Sequence, residues 1–210
     1  ENLRRSLRAF QEYEKDLSGK TLGIGVLVPG PYYADDDIVM NKKIPQVTSV
    51  PIKSLIREFF PDSIIWIDED VKFAARYAIR YVEDHPHKTI FYAFLDDGVG
   101  GAVVQEMSIY RSAYSYSGDW GQLQLTDAMN VEEAVATGAL INRYPEDFYH
   151  GRLREADTFY QKHKDDPGFR RFLKDTKNSI LYGLNSVMWL IDPDAILFDS
   201  PYSDWFPGFF

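Results

Sequence analysis

Apolar side chains recur every three or four residues at the start of the chain: Leu3, Leu7, Phe10, Tyr13 and Leu17 predict a helix over Asn2 to Leu17 with one buried face. Ser18-Gly19 supplies the turn that ends it. The period then disappears. Thr21 to Val28 is a continuous apolar run with two glycines, which predicts a buried strand stopped by Pro29-Gly30-Pro31. A polar loop or short edge strand is expected over Ala34 to Lys43, then a helix from Val50-Pro51 through Phe60 with proline in its first turn. Ser63 to Ile67 predicts a second buried strand. Asp68 to Asp70 lead from it into a helix over Val71 to Val82, whose positive dipole end suits the acidic residues.

Asp84-His85-Pro86-His87 breaks the pattern and marks the expected lobe boundary, with residues 1–85 on one side and 86–210 on the other. Beyond it, strands are predicted at Thr89 to Leu95, Ala102 to Glu106 and Ser108 to Tyr110, with a hairpin near Gln105 to Ser108. A strand at Gln122 to Leu125 precedes helices at Val131 to Asn142, Asp147 to Lys164 and Phe169 to Leu190. Asp194 to Phe198 closes as a strand. Alternating strands and helices predict an α/β protein with a largely buried sheet. The sequence holds no internal repeat and no low-complexity segment.

Composition narrows the partners. The 210 residues, 45% of them hydrophobic, suffice for one large domain or two small lobes with a core. A formal net charge of -9 makes the chain by itself a poor ligand for DNA or an anionic membrane. No apolar run approaches the roughly 20 residues of a membrane span, and the charged amphipathic start is unlike a secretion signal. The absence of cysteine excludes disulfides and thiolate zinc sites, and a cytoplasmic location is expected. Beginning at Glu1 and ending on Trp205-Phe206-Pro207-Gly208-Phe209-Phe210, the chain is expected to be a piece of something longer.

The stretch Phe94-Leu95-Asp96-Asp97-Gly98-Val99-Gly100-Gly101-Ala102-Val103-Val104 carries the most chemical information. Glycines between apolar strands let backbone amides approach a phosphate and form an anion nest. Asp96 and Asp97 oppose that, since each would repel a polyphosphate unless metal bridged them. Asp96, Asp97 and Gly98 also read as a plain exposed β-turn. A metal site at Asp96, Asp97 and Asp199 is the alternative, with no geometry set by sequence. His85-Pro86-His87 reads as a polar linker. Tyr110, Tyr114 and Tyr116 suit either stacking on a sugar face or packing in a core or interface.

Four segments in order resemble the ROK family of repressors, open reading frames and sugar kinases. Gly23-Ile24-Gly25-Val26-Leu27-Val28-Pro29-Gly30-Pro31 is similar to its G-I-G-x-x-x-P-G-P turn, and Glu69-Asp70-Val71-Lys72-Phe73-Ala74-Ala75 stands where the family has N-D-A-N. The glycine stretch corresponds to G-T-G-x-G-G-G. Tyr110-Arg111-Ser112 through Gly118-Asp119-Trp120-Gly121-Gln122 corresponds to Y-R-G followed by G-E-x-G-H, and Asn130 to Ile141 to a helix running from C-L-E to S-G. The resemblance implies the two-lobed, ribonuclease H-like architecture of actin-like ATPases and sugar kinases, with sugar bound between lobes and ATP beside it. Relative to the family, the chain lacks the opening D-x-G-x-T hairpin, roughly the last helices, and the winged helix that regulators carry upstream, so it is expected to be truncated at both ends.

The departures bear on function. Asp96-Asp97 replaces the Gly-Thr that holds ATP phosphates in the family, leaving Gly98, Gly100 and Gly101 in a degenerate phosphate loop. Asp199-Ser200-Pro201 replaces the later G-G-G turn for adenosine. Gln122 replaces the zinc-site histidine, and the three zinc cysteines have no counterpart. Neither ATP nor zinc is therefore expected. By the resemblance, Asp70 takes the place of the sugar-binding catalytic base, Glu69 that of its neighbouring asparagine, Asp119 that of the glutamate in G-E-x-G-H, and Glu133 that of the later glutamate. Carboxylates and amides such as Gln122 suit sugar hydroxyls, which donate as well as accept. Structural readings stand beside these: Asp70 as a first-turn acid, Asp119 as a turn former, Glu133 as a capping acid whose register against Glu132 is open.

These residues lead to an expected effector-binding part of a ROK-type regulator. It would bind a sugar or sugar derivative without phosphorylating it, reach DNA through an upstream domain, and form a homodimer or higher assembly. The rival is a divergent sugar kinase with Asp70 as base. A third reading is a dimerisation module that no longer binds ligand.

Overall fold

The computed structural model describes residues 1–15, 21–41, 44–81, 88–150 and 152–209. The chain divides into one unit of Glu1–Ala74 with Arg111–Tyr116 and another of Ala75–Tyr110 with Ser117–Phe210. The expected turn at Ser18-Gly19, the expected boundary at Asp84 to His87 and its histidine linker lie outside the described residues.

The first unit starts with α1 (Asn2–Lys15), β1 (Gly23–Val28) and a small hairpin of β2 (Tyr32–Tyr33) and β3 (Ile38–Val39). It continues through α2 (Ile52–Phe59) and β4 (Ile64–Glu69) into α3 (Asp70–Ala78), whose last turn belongs to the second unit. β1 and β4 pair in parallel, from Gly23 opposite Ile64 to Val28 opposite Glu69. One face of the pair, with Ile24, Val26, Ile65 and Ile67, packs on Ile52, Ile56 and Phe60. On the other face Leu27, Ile64 and Trp66 are exposed. Among the described residues α2 packs on the first face, whereas on the second Trp66 meets the Phe73 ring of the following helix at 6.0 Å between centroids and still stays exposed. α1 also departs from expectation. It has no buried residue; Leu7 touches the core, while Gln11 Nε2 donates to Phe59 O at 2.7 Å and Arg4 pairs with Glu58.

The second unit is built on a four-stranded sheet of β5 (Thr89–Leu95), β6 (Val99–Gln105), β7 (Ser108–Ile109) and β12 (Ala195–Asp199), in the order β12-β5-β6-β7. β5 pairs antiparallel with β6, and β6 with β7 through a turn in which Glu106 and Met107 both have positive φ. Next come the hairpin of β8 (Gln124–Thr126) and β9 (Met129–Asn130), then α4 (Val131–Val135) and α5 (Gly138–Arg143). A second hairpin, β10 (Phe148–Tyr149) with β11 (Arg152–Leu153), precedes α6 (Ala156–His163) and α7 (Pro167–Ile191). β12 then runs parallel to β5, and α8 (Pro201–Trp205) follows. The core joins Phe91, Ala93 and Leu95 of β5 to Trp120, Phe169 and Ile180.

Several boundaries differ from the sequence reading. β6 begins at Val99, so Gly100 and Gly101 lie in the ladder opposite Phe94 and Ala93 and the turn is only Asp96 to Gly98. The expected helix over Val131 to Asn142 is two helices, because Thr137 N donates to Asp96 O at 2.9 Å and the chain leaves helical geometry at Ala136. The expected helix from Asp147 begins only at Ala156, since Phe148 enters the core from a strand. Gln122 ends a 3₁₀ turn rather than starting a strand. No described helix is long and apolar enough to cross a membrane.

Candidate functional site

The hairpin turn between β5 and β6 closes on itself. Asp96 N donates to Gly98 O at 2.9 Å, and Asp96 Oδ1 accepts from Thr137 Oγ1 at 3.2 Å. Val99 N donates to Glu132 Oε2 at 3.0 Å. Two amides that an anion nest would offer a phosphate are therefore engaged, one by a carbonyl and one by a carboxylate of the protein. Gly101 of the hairpin and Gly121 nearby serve packing. A Cβ on Gly101 would lie 2.5 Å from Tyr92 O and 2.7 Å from Gly118 O, and one on Gly121 would collide with Val99 O. Asp97, in the middle of this turn, is exposed.

Nearby residues follow the same theme. Asp199 accepts from the Tyr92 phenol at 2.6 Å, and burial followed by that carboxylate pushes the Tyr92 pKa up. Ser200 Oγ accepts from Tyr202 N at 3.2 Å and starts α8, a helix the sequence reading missed although Ser-Pro is a helix-start signal. Asp199-Ser200-Pro201 thus forms a strand end and a cap. The Tyr202 hydroxyl is buried with no hydrogen-bond partner among the described residues, and burial, then Asp96, raise its pKa. Among the described residues, no group of three or more His, Asp or Glu could hold a metal ion.

Of the two adjoining acids in α4, Glu132 faces the hairpin and Glu133 is exposed. Glu133 Oε2 accepts from Asn130 N at 2.9 Å, and Asn130 Oδ1 from Glu133 N at 2.8 Å, a complete capping box. Asp119 precedes the 3₁₀ turn Trp120–Gln122 and Gln122 ends it, both half-buried, with Gln122 N donating to Asp119 O at 3.4 Å.

In the first unit, Asp68 and Glu69 close β4 and Asp70 opens α3. Glu69 Oε1 accepts from Lys72 Nζ at 2.5 Å, and the same ammonium donates to Ser115 O at 2.6 Å. Arg111 Nη2 donates to Asp68 Oδ2 at 2.7 Å. Asp68 and Lys72 are each 1% exposed, so both ions depend on these partners. Burial pushes the Glu69 carboxyl above the usual range, although Lys72 pulls it back. Asp70 accepts from Val71 N at 2.8 Å; it is exposed overall, yet its carboxyl end is partly desolvated, which raises its pKa against the pull of the amides. The Tyr33 pKa is raised as well, first by burial, then by hydrogen bonding with Tyr116, with Tyr114 and Glu69 adding to the effect. The sequence reading quotes the segments that hold Lys72, Asp68 and Arg111 but gives none of the three a role in the site. The only signal was Lys72 three residues after Glu69, an ion-pair spacing that says nothing of burial.

The structure thus places Glu69 and Asp70 together in the first unit. Asp96, Asp97 and the glycines lie on one hairpin of the second, and Asp119, Gln122 and Glu133 also belong to that unit.

The ROK family model matches residues 1–200. Among solved structures, the ROK hexokinase from Thermus thermophilus superposes with a TM-score of 0.73 at 20% identity, over 98% of this chain and 72% of that one. A ROK family glucokinase from Streptomyces griseus in complex with glucose and AMPPNP gives 0.68 at 15%, over 89% and 68%. A ROK family transcriptional regulator, a homolog of the E. coli MLC protein, gives 0.72 at 14%, over 94% of this chain and 54% of that one. No curated protein matches the sequence. The identities are too low to carry function across, but kinases and a regulator share the architecture. With the family model spanning nearly its whole length, this chain belongs to the ROK family and has the α/β, actin-like ATPase fold of its sugar kinases.

Proposed function

We propose that the chain is the effector-binding part of a ROK-type transcriptional regulator, which binds a sugar or sugar derivative and does not phosphorylate it. One observation carries this reading: the amide of Val99, in the family's phosphate hairpin, is bonded to the protein's own Glu132 carboxylate. Phosphoryl transfer rests on positioning and charge neutralisation around the phosphates. A hairpin that carries Asp96 and Asp97 and is capped by Glu132 offers the opposite charge. ATP does not fit this hairpin, and zinc does not fit a site with Gln122 and no cysteine. Asp70, Glu69, Asp119, Gln122 and Glu133 are the candidate effector ligands, the last on condition that its capping box opens. DNA contact would come from an upstream domain, in a cytoplasmic homo-oligomer, and effector binding would act by favouring one arrangement of the protein over another.

The Asp70 carboxyl, partly desolvated and so raised in pKa, favours a second reading as the base of a divergent sugar kinase. Thermal shift and ADP release over a sugar panel, with and without Mg-ATP, separate the two. The regulator predicts stabilisation by a sugar and no ADP, whereas sugar-dependent ADP release would sink it. A flat response to every sugar would favour the dimerisation module.

A further inference from the structure

Between Tyr110 and Ser117 the chain leaves the second unit and contributes six residues, Arg111–Tyr116, to the first. Both ends of this strap are tied to consecutive carboxylates at the end of β4. Arg111 pairs with Asp68 at 2.7 Å; Ser115 O accepts from Lys72, which is itself paired with Glu69. Ser115 Oγ also donates to Tyr32 O at 3.3 Å. Ser115 has a φ of 57°, a left-handed conformation that costs a residue with a Cβ and persists only where its surroundings hold it.

What the strap presents is aromatic. Tyr114 is 70% and Tyr116 46% exposed, next to half-buried Tyr33. Buried ions and a left-handed serine are an expensive way to hold a loop that only displays two phenol rings to water. They are what a preorganised binding wall requires. Phenol rings offer an apolar face and a polar edge, which match the C–H face and the hydroxyls of a pyranose. Asp68, Glu69 and Asp70 outnumber Lys72 and Arg111 by one charge, which favours a neutral ligand over an anionic one.

We propose that Tyr33, Tyr114 and Tyr116 form a carbohydrate-stacking subsite for uncharged saccharides, on a strap positioned by Lys72 and Arg111. The inference rests on the sugar-effector reading and adds to it both the stacking wall and the exclusion of sugar phosphates.

The test is titration calorimetry and saturation-transfer NMR on the full-length protein with glucose, N-acetylglucosamine, sucrose and glucose 6-phosphate as probes. At least one neutral saccharide is expected to bind, more tightly than glucose 6-phosphate and with saturation transfer to its ring protons. Tyr114→Ala and Tyr116→Ala should each weaken it about fivefold to tenfold, the scale of one aromatic contact. Tyr114→Phe and Tyr116→Phe keep the ring and should largely retain binding, which separates stacking from misfolding. Lys72→Arg should bind better than Lys72→Met. If neutral saccharides bind and Asp70→Asn weakens them while both alanine variants bind as wild type, the subsite falls and the effector reading stands. If glucose 6-phosphate binds best, the charge argument and the subsite both fail. If none of the four probes binds the folded protein, the subsite is overturned together with the effector reading.

Discussion

Pro51 precedes α2 and has no side-chain oxygen with which to cap it, so the first-turn amides of that helix need an acceptor from elsewhere. Asp37 supplies it. Its Oδ1 accepts from Lys53 N at 2.8 Å and from the Tyr32 hydroxyl at 3.0 Å, and its Oδ2 from Ser54 N at 2.7 Å. To do so Asp37 takes a φ of 54°. Burial alone would raise its pKa, but the Ser54 and Lys53 amides and the Tyr32 phenol hold it below the usual carboxylate range. Asp37→Ala should therefore cost about 0.5–2 kcal/mol at neutral pH, the range for a lost cap, measured by urea unfolding. The sign with pH follows from the lowered pKa: the contribution is complete above the ordinary aspartate range and is lost as pH falls through the depressed value. Wild type and Asp37→Ala should converge in acid, and a difference that widened there would refute the cap. The sequence places Asp37 in a polar loop and reads no more. A cap that acts across 16 and 17 positions is a tertiary fact, invisible to local pattern.

Elements were legible where one force decides them. β5 and α7 lie close to where periodicity puts them, because a seven-residue apolar strand and a helix with Asp166-Pro167 at its start have no competing structure. The segment Asp147 to Lys164 has helical composition throughout, yet burial of Phe148 in the aromatic core takes its first part into a hairpin. The glycine hairpin shows the same limit for the site. Its sequence announces a departure from phosphate binding, but not that Glu132 engages the Val99 amide or that Gly101 and Gly121 are needed for close backbone packing. Glu132→Ala leaves a buried amide without this acceptor and should cost about 1–3 kcal/mol. Glu132→Gln retains an oxygen acceptor and should cost less. Neither should release ADP from Mg-ATP and a sugar, and a gain of turnover in either would reopen the kinase reading. On the first-unit side, Lys72→Met removes one partner of a buried ion pair, a change of about 3–5 kcal/mol where such pairs are broken. Hydrogen exchange should rise first in residues 112–116, and unchanged protection there would remove Lys72 as the anchor of the strap.

The two units differ in how much they bury, which gives a prediction for the molecule as a whole. The second has a four-stranded sheet and a core running from Phe91 through Trp120 and Ile180 to Tyr202 and Phe206. The first has a two-stranded parallel pair and a core centred on Val28, Val39, Ile52, Ile56 and Phe60, with Leu27, Ile64 and Trp66 exposed. Burial of apolar area is the main favourable term in folding, at about 25 cal/mol per Å², so the smaller core should open at lower cost. That imbalance was not legible in the sequence, where Thr21 to Val28 and Ser63 to Ile67 look as apolar as any strand of the second unit. Hydropathy reports what a strand can bury; only its neighbours decide what it does bury. Amides of β1 and β4 should therefore exchange with solvent well before those of β5 and β6 under native conditions, and a saccharide effector should slow exchange in the first unit more than in β5. Equal protection of the two sheets in the free protein would mean that something other than the described core supports β1 and β4.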